Sequence, residues 1–257
     1  MKKKLLAIVT TAFVAALAFA LVGCGGNSDS GEGSSSSPEL RFVTGGESGT
    51  YYAYGTVLAQ YSTNNAGVSV NALSSEGSKA NIEALQNNEA ELAFCQSDVT
   101  TYAYEGTSLF EGAPYQDFSV VASLYGEQVQ IVTCDPNIKT VADLKGKTVS
   151  IGAANSGVYF NAVDILGAYD MTEEDINAVY QNFADSADSL KNDKIDAAFI
   201  AAGAPTTAIS DLTTSKQAYL VSMDAEHIAK LQETSPYYAE STIPAGTYNG
   251  MEEDCTT

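Results

Sequence analysis

The chain has 257 residues, 45% of them hydrophobic, and its 32 acidic against 12 basic residues give a formal net charge of −20. So acidic a chain excludes nucleic acid as a partner and is repelled by anionic lipid headgroups. The hydrophobic share fits a folded globular protein, and the length admits one large domain or two small ones.

Lys2, Lys3 and Lys4 open the chain, and residues 5–22 are apolar apart from Thr10 and Thr11. A run of that length can span a bilayer, but it ends on Leu21-Val22-Gly23-Cys24, with small residues directly before a cysteine. This ending is similar to the lipobox of bacterial lipoproteins, and residues 1–23 read as a signal peptide. The resemblance implies cleavage before Cys24 and a lipid on its sulfur, which places the protein outside the cytoplasm, anchored to the cell membrane. From Cys24 on, nine basic residues face 32 acidic ones, a net charge of −23. Residues 24–38 read as a tether: ten of the thirteen residues from 25 to 37 are Gly or Ser, a composition that behaves as flexible coil.

Strands and helices then alternate. Residues 40–44 read as a strand, and Gly45-Gly46-Glu47-Ser48-Gly49-Thr50 as a turn. A helix starts near Tyr51, with Tyr51, Tyr54, Leu58 and Tyr61 at helical spacing on one face. Residues 68–73 form a second strand, 74–78 a polar turn, 79–87 a helix and 91–95 a third strand. This order argues for a parallel sheet with helices on its faces. Further on, residues 129–134 and 147–152 read as strands, and Ala153-Ala154-Asn155-Ser156-Gly157 as a turn into a helix that reaches about Leu166. Residues 185–190 end another helix, and a strand over 195–201 is closed by Gly203-Ala204-Pro205.

An internal echo links the halves. Between residues 85–94 and 190–199, Leu, Asn, Ala and Phe recur in register, with Glu91 opposite Asp196. Ser48-Gly49 and Ser156-Gly157 form a second pair, each between a strand and a helix. Two similar α/β lobes are the natural reading.

Three strand-to-helix turns rich in Gly, Ser and Thr (residues 44–50, 74–78 and 155–157) can present backbone N–H groups and hydroxyls at the positive ends of helices. Ordinary helix capping is the alternative for each. None is a dinucleotide fingerprint or a P-loop, and HExxH and GxSxG are absent. The single histidine, His227, belongs to a surface helix, and no CxxC or Cys/His metal spacing occurs. The expectation is therefore no catalytic residue, no metal and no cofactor. Cys95 and Cys134 can pair as a disulfide or stay as buried thiols. Arg41, the only arginine, lies inside the first strand, so a bidentate arginine clamp on a ligand acid is not expected. Lys79, near the second turn, reads as a solvated helix residue.

Thr44-Gly45-Gly46-Glu47-Ser48-Gly49-Thr50-Tyr51-Tyr52 resembles the opening of the TAXI-type solute-binding proteins of TRAP transporters. In the same order follow Ser75-Glu76-Gly77-Ser78 with Asn81, then Ala90 to Asp98, Gly152 to Gly157, and Lys194 to Phe199 with Gly203-Ala204-Pro205. Thr242 to Tyr248 completes the set. The resemblance implies a two-lobed, type II periplasmic-binding-protein-like fold, each lobe a mixed, mostly parallel sheet flanked by helices. Lobe I would span residues 39–125 and lobe II residues 126–222, with 223–257 starting a return toward lobe I. Family members continue further, so the C-terminal part reads as truncated. The lobes would swing about crossings near residues 124–128 and 219–224.

The resemblance also implies capture of a small anionic or zwitterionic solute, an organic acid or amino acid such as glutamate, glutamine or 2-oxoglutarate. Delivery would be to the membrane subunit of a TRAP permease, with no enzymatic step. One wall of the cleft would be Thr44, Gly45, Ser48, Gly49, Thr50, Tyr51, Ser75, Ser78, Gln96, Ser97 and Asp98. The other would be Ser156, Gly157, Ala202, Gly203, Ala204 and Pro205. Two rivals are a binding protein of similar fold for an ATP-driven importer or sensor kinase, and an extracellular serine hydrolase.

Overall fold

The computed structural model describes residues 39–257. The signal peptide, Cys24 and the tether expected from the sequence lie outside the described residues.

Leu40–Val43 form β1, followed by helix α1 (Thr50–Tyr61), β2 (Val70–Leu73), α2 (Ser78–Gln86), β3 (Leu92–Ala93) and α3 (Ser97–Glu105). The three strands make one sheet in the order β2-β1-β3, parallel throughout, as the alternation of strand and helix requires. Helix α1 packs on β1 through Gly55 and Ala59, both buried, whereas Tyr54 is 37% and Tyr61 65% exposed. Of the expected face, Tyr54 and Tyr61 are thus exposed while Tyr51 and Leu58 are half-buried, and the residues set against the strand are the small ones. The reason is closeness: a Cβ on Gly55 would come within 2.5 Å of Thr44 Cγ2, so only small residues fit against the strand.

Residues 118–127 then run on without helix or strand. No backbone hydrogen bond engages them among the described residues, and Val120 (72%) and Val121 (87%) are exposed. The chain next builds β4 (Gln128–Thr133), β5 (Thr148–Ser150), α4 (Gly157–Ala168), β6 (Asn177–Val179), α5 (Phe183–Lys191) and β7 (Ala197–Ala202). After these come α6 (Thr207–Ser215), β8 (Tyr219–Leu220) and α7 (Ala225–Thr234), and finally β9 (Thr242–Ile243) and β10 (Cys255–Thr256). A five-stranded mixed sheet has the order β6-β5-β7-β4-β8, with β5 parallel to β6 and β7, and β4 antiparallel to β7 and β8.

Strand β7 is central, and all six of its residues are buried, as expected of a strand covered on both faces. Its side chains alternate. Ala197, Phe199 and Ala201 join α4 and α7 in one core, with Ile165, Leu166, Ile228 and Leu231. Ala198, Ile200 and Ala202 join α5 and α6 in the other, with Leu190, Ile209 and Leu212.

Residues 223–257 do not turn back to the small sheet. Helix α7 covers one face of the large sheet, while Ile243, Tyr248 and Cys255 cover the other. The Met223 amide donates to Thr256 O (2.9 Å) and the Thr257 hydroxyl donates to Val129 O. The few apolar side chains of this largely polar segment are thus buried on the five-stranded sheet. Cys95, Cys134 and Cys255 are free thiols; burial pushes Cys95 up to about 12.

Candidate functional site

Between the small sheet with α1–α3 and the large sheet with α4–α6 lies a cavity of about 740 Å³. It is assembled from helix starts. Gly49 and Thr50 bring the N-terminus of α1, Gly77 and Ser78 that of α2, and Ser156 and Gly157 that of α4. Asn182 and Phe183 bring α5, and Thr207 brings α6. Each start carries about half a positive charge from its unpaired N–H groups, so five starts facing one space make it receptive to an acid group.

The capping pattern separates these turns. Ser156 caps α4, its Oγ accepting from the Tyr159 amide at 3.4 Å, and Asn182 caps α5, its Oδ1 accepting from the Asp185 amide at 2.9 Å. Gly49 and Gly77, the residues before α1 and α2, have no side chain to offer, and no side-chain cap is made there or at Thr206 before α6. Capping therefore accounts for the third Gly/Ser turn and not for the first two.

The structure places Gly45, Ser48, Gly49, Thr50, Tyr51, Ser75, Ser78, Gln96, Ser156, Gly157 and Ala202 on the cavity wall. The other candidates lie off it. Thr44 is fully buried and its hydroxyl donates to Leu73 O at 2.7 Å, tying β1 to β2. Ser97 and Asp98 have turned into helix α3. Asp98 is buried, accepting from the Val99 amide (2.8 Å) and the Asn161 amide nitrogen (3.4 Å), and burial raises it to about 6. Gly203, Ala204 and Pro205 bend behind the wall; Gly203 O accepts from the Thr50 hydroxyl at 3.2 Å, and the Ala204 amide donates to Gln128 Oε1 at 3.1 Å.

Wall residues absent from the sequence reading include Glu127, Asn182, Phe183 and Thr207. Glu127 comes from the crossing run and is half-buried. The Tyr51 hydroxyl donates to its Oε2 at 2.8 Å. Burial pushes Glu127 up to about 8 and holds the Tyr51 hydroxyl well above its ordinary value. Tyr51 and Tyr54 pack on Phe94 and Tyr125 with ring centroids 5.0–6.5 Å apart.

The two halves touch directly. The Ala80 amide donates to Asn155 O (3.1 Å), Lys79 Nζ to Asn155 Oδ1 (3.3 Å), and Gln96 Nε2 to Asn161 Oδ1 (2.7 Å). The Ala208 amide donates to Ser48 O at 3.3 Å. Lys79 also pairs with Glu83, so it is a cross-cleft contact rather than a solvated side chain. Gly157 is tightest: a Cβ there would sit 1.3 Å from Gln96 Oε1 and 2.9 Å from Ser78 Oγ.

Among the described residues no group of three His, Cys, Asp or Glu side chains is placed to hold a metal ion, and no helix is long and apolar enough to cross a membrane. Asp224 caps α7, its carboxylate accepting from the His227 amide at 3.1 Å, with His227 Nδ1 2.8 Å from the same carboxylate and its ring stacked on Tyr169 at 3.6 Å.

The fold is similar to that of several solved structures. One is the GluR0 ligand-binding core from Nostoc punctiforme in complex with L-glutamate (16% identity, 77% of this chain and 95% of that one, TM-score 0.50). Another is the ligand-binding component of an ABC-type import system from Staphylococcus aureus (10% identity, 72% and 60%, TM-score 0.51). A third is the alkanesulfonate-binding protein SsuA from Xanthomonas axonopodis pv. citri bound to MOPS (21% identity, 72% of this chain, TM-score 0.48). The chain spans 60% of the length of that SsuA and of its Escherichia coli counterpart. The first two likenesses establish a type II periplasmic-binding-protein-like fold. A family model matches over residues 42–257, nearly the whole of the described chain, and by that match the protein belongs to the NMT1-like family.

Proposed function

We propose that the protein is an extracytoplasmic solute-binding lipoprotein, held to the membrane through Cys24, that closes its two lobes on a small organic acid or amino acid. The observation that carries this reading is the convergence of five helix starts from both lobes on one cavity. Contacts made by both lobes exist only in the closed form, so a ligand that uses them shifts the population toward closure. The lobes divide in the crossing run, near residues 125 and 126. The ligand is held chiefly by Ser48, Gly49 and Thr50, by Ser75 and Ser78, and by Ser156 and Gly157. Glutamate, glutamine and 2-oxoglutarate are the first compounds to test. A ligand bound only by the folded state raises the melting temperature by mass action, and X-ray scattering then reads compaction. Compounds that do neither are not cargo, and failure of the whole set would refute the reading.

The finer proposal is delivery to a TRAP permease driven by an ion gradient. An ATP-driven importer is the second reading, favoured by the ABC-type component among the structural neighbours. Uptake by cells carrying the protein and its transporter separates them. Collapse of the ion gradient abolishes TRAP uptake at once, whereas uptake that survives collapse and stops on ATP depletion belongs to the importer.

A further inference from the structure

The charges of the cavity wall are one-sided. No Lys, Arg or His side chain is among the residues lining it, but three carboxylates are. Glu47 and Glu76 stand exposed at the mouth, where solvent screens them. Glu127 is set inside, half-buried, with the Tyr51 hydroxyl on Oε2 and no partner on Oε1 among the described residues. Lys79, next to the wall residue Ser78 in sequence, is committed to Glu83 and Asn155. The wall therefore has two poles: positive helix starts without side-chain caps at Gly49 and Gly77, and one inward-set carboxyl that nothing basic answers.

We infer that the ligand is a zwitterion, its acid group taken by the helix starts and its protonated amino group seated on Glu127. This rests on the solute-binding reading above and deepens it. A carboxyl in a low-dielectric site gains most from a cation that is desolvated with it. Burial already holds Glu127 at about 8, so an arriving ammonium supplies the charge that stabilises its ionised form. Tyr51 and Phe183, which also line the wall, give such a cation aromatic neighbours. A dianion offers no such match: its second acid group would meet Glu127 or the mouth carboxylates and find no basic side chain.

The test compares pairs in which the ammonium is replaced by a keto oxygen or by hydrogen, with the whole protein and calorimetric titration: L-glutamate against 2-oxoglutarate, L-glutamine against glutaramate, and L-leucine against 4-methyl-2-oxopentanoate. In every pair with detectable binding, the amine should bind at least about tenfold tighter, the scale of a charge-assisted hydrogen bond in a closed site. E127Q should bring that ratio close to one. A deaminated acid that binds as tightly as its amine, or an unchanged ratio in E127Q, overturns the inference and leaves the solute-binding reading standing. The wild-type pairs decide even where E127Q does not fold. If no compound of either kind binds at millimolar concentration, the solute-binding reading fails for acids and amino acids, and this inference fails with it.

Discussion

At single residues, the site is a matter of which atoms have room. Gly157 opens α4 with ordinary backbone angles, so alanine is locally tolerated there, but its Cβ would overlap Gln96 Oε1. That oxygen accepts from the Ser78 hydroxyl, and Gln96 Nε2 donates to Asn161 Oδ1, whose Nδ2 in turn reaches Asp98 and Tyr238. The clash exists only when the lobes meet. We expect G157A to fold normally, to show a larger radius of gyration by scattering, and to bind ligand about tenfold more weakly or worse, since the lost closure must be drawn from binding energy. Q96A in the same background should return part of the affinity; no recovery would mean that Gly157 acts by another contact. Glu127, by contrast, left no mark in the sequence. It is one glutamate among 32 acidic residues, outside any Gly/Ser turn, and it becomes a wall residue only because the crossing run passes beneath Tyr51. Ser97 and Asp98 show the reverse: they adjoin Gln96 in sequence, but α3 begins at Ser97, and helical rotation carries them off the wall.

Among elements, the echo read between residues 85–94 and 190–199 is a structural device used twice. Asn88 and Asp193, at equivalent places, both adopt left-handed backbone angles, φ 57° and 53°, where Asn and Asp are the favoured non-glycine residues. The Glu89 and Lys194 amides return to Ala84 O and Ser189 O at 2.8 and 2.9 Å. Glu91 then accepts the Arg41 amide at 2.7 Å, and Asp196 the Thr148 amide at 2.7 Å, each carboxylate buttoning its own strand to the next. The Thr148 bond is part-buried and the Arg41 bond exposed, so the cost of loss should differ. D196A should lower stability by about 1–2 kcal/mol, the penalty for orphaning a sheltered N–H, and D196N should restore most of it. E91A should cost less in the same denaturant titration. If D196N is no better than D196A, the acceptor role is wrong. This much of the fold was legible because a left-handed turn needs particular side chains. The face of α1 was not, because glycine and alanine carry no hydrophobic signature strong enough to outweigh four regularly spaced apolar or aromatic residues.

For the molecule as a whole, carboxyls whose hold on the proton is raised by burial, Asp98, Glu127 and Asp164, shape the response to pH above about 5. Asp98 titrates at about 6 and Glu127 at about 8 in the folded protein, both above their ordinary values. These two groups therefore bind more protons in the folded than in the unfolded state between roughly pH 4 and 8. Their contribution to stability is present below that window and is lost as pH rises through it. Ligand-free protein should melt at progressively lower temperature from pH 5 to pH 8.5, and E127Q, which keeps the neutral shape, should be more stable than wild type at pH 8.5 and no better at pH 5. Because the carboxylate is open to the cavity, the gain should be about 1–2 kcal/mol. Equal melting curves at both pH values would show that Glu127 ionises freely.

Val120 and Val121 stand out on an extended run whose amide edge no strand of the described chain occupies. A bare edge of that kind is a template for a strand from another copy. Residues 118–127 hold neither lysine nor proline to guard it. The formal charge of −20 carried by the chain as a whole opposes such pairing. The expectation is a salt-dependent association: in dilute buffer the repulsion should hold copies apart, and salt that shortens its reach should let the edges pair, which light scattering against ionic strength would read.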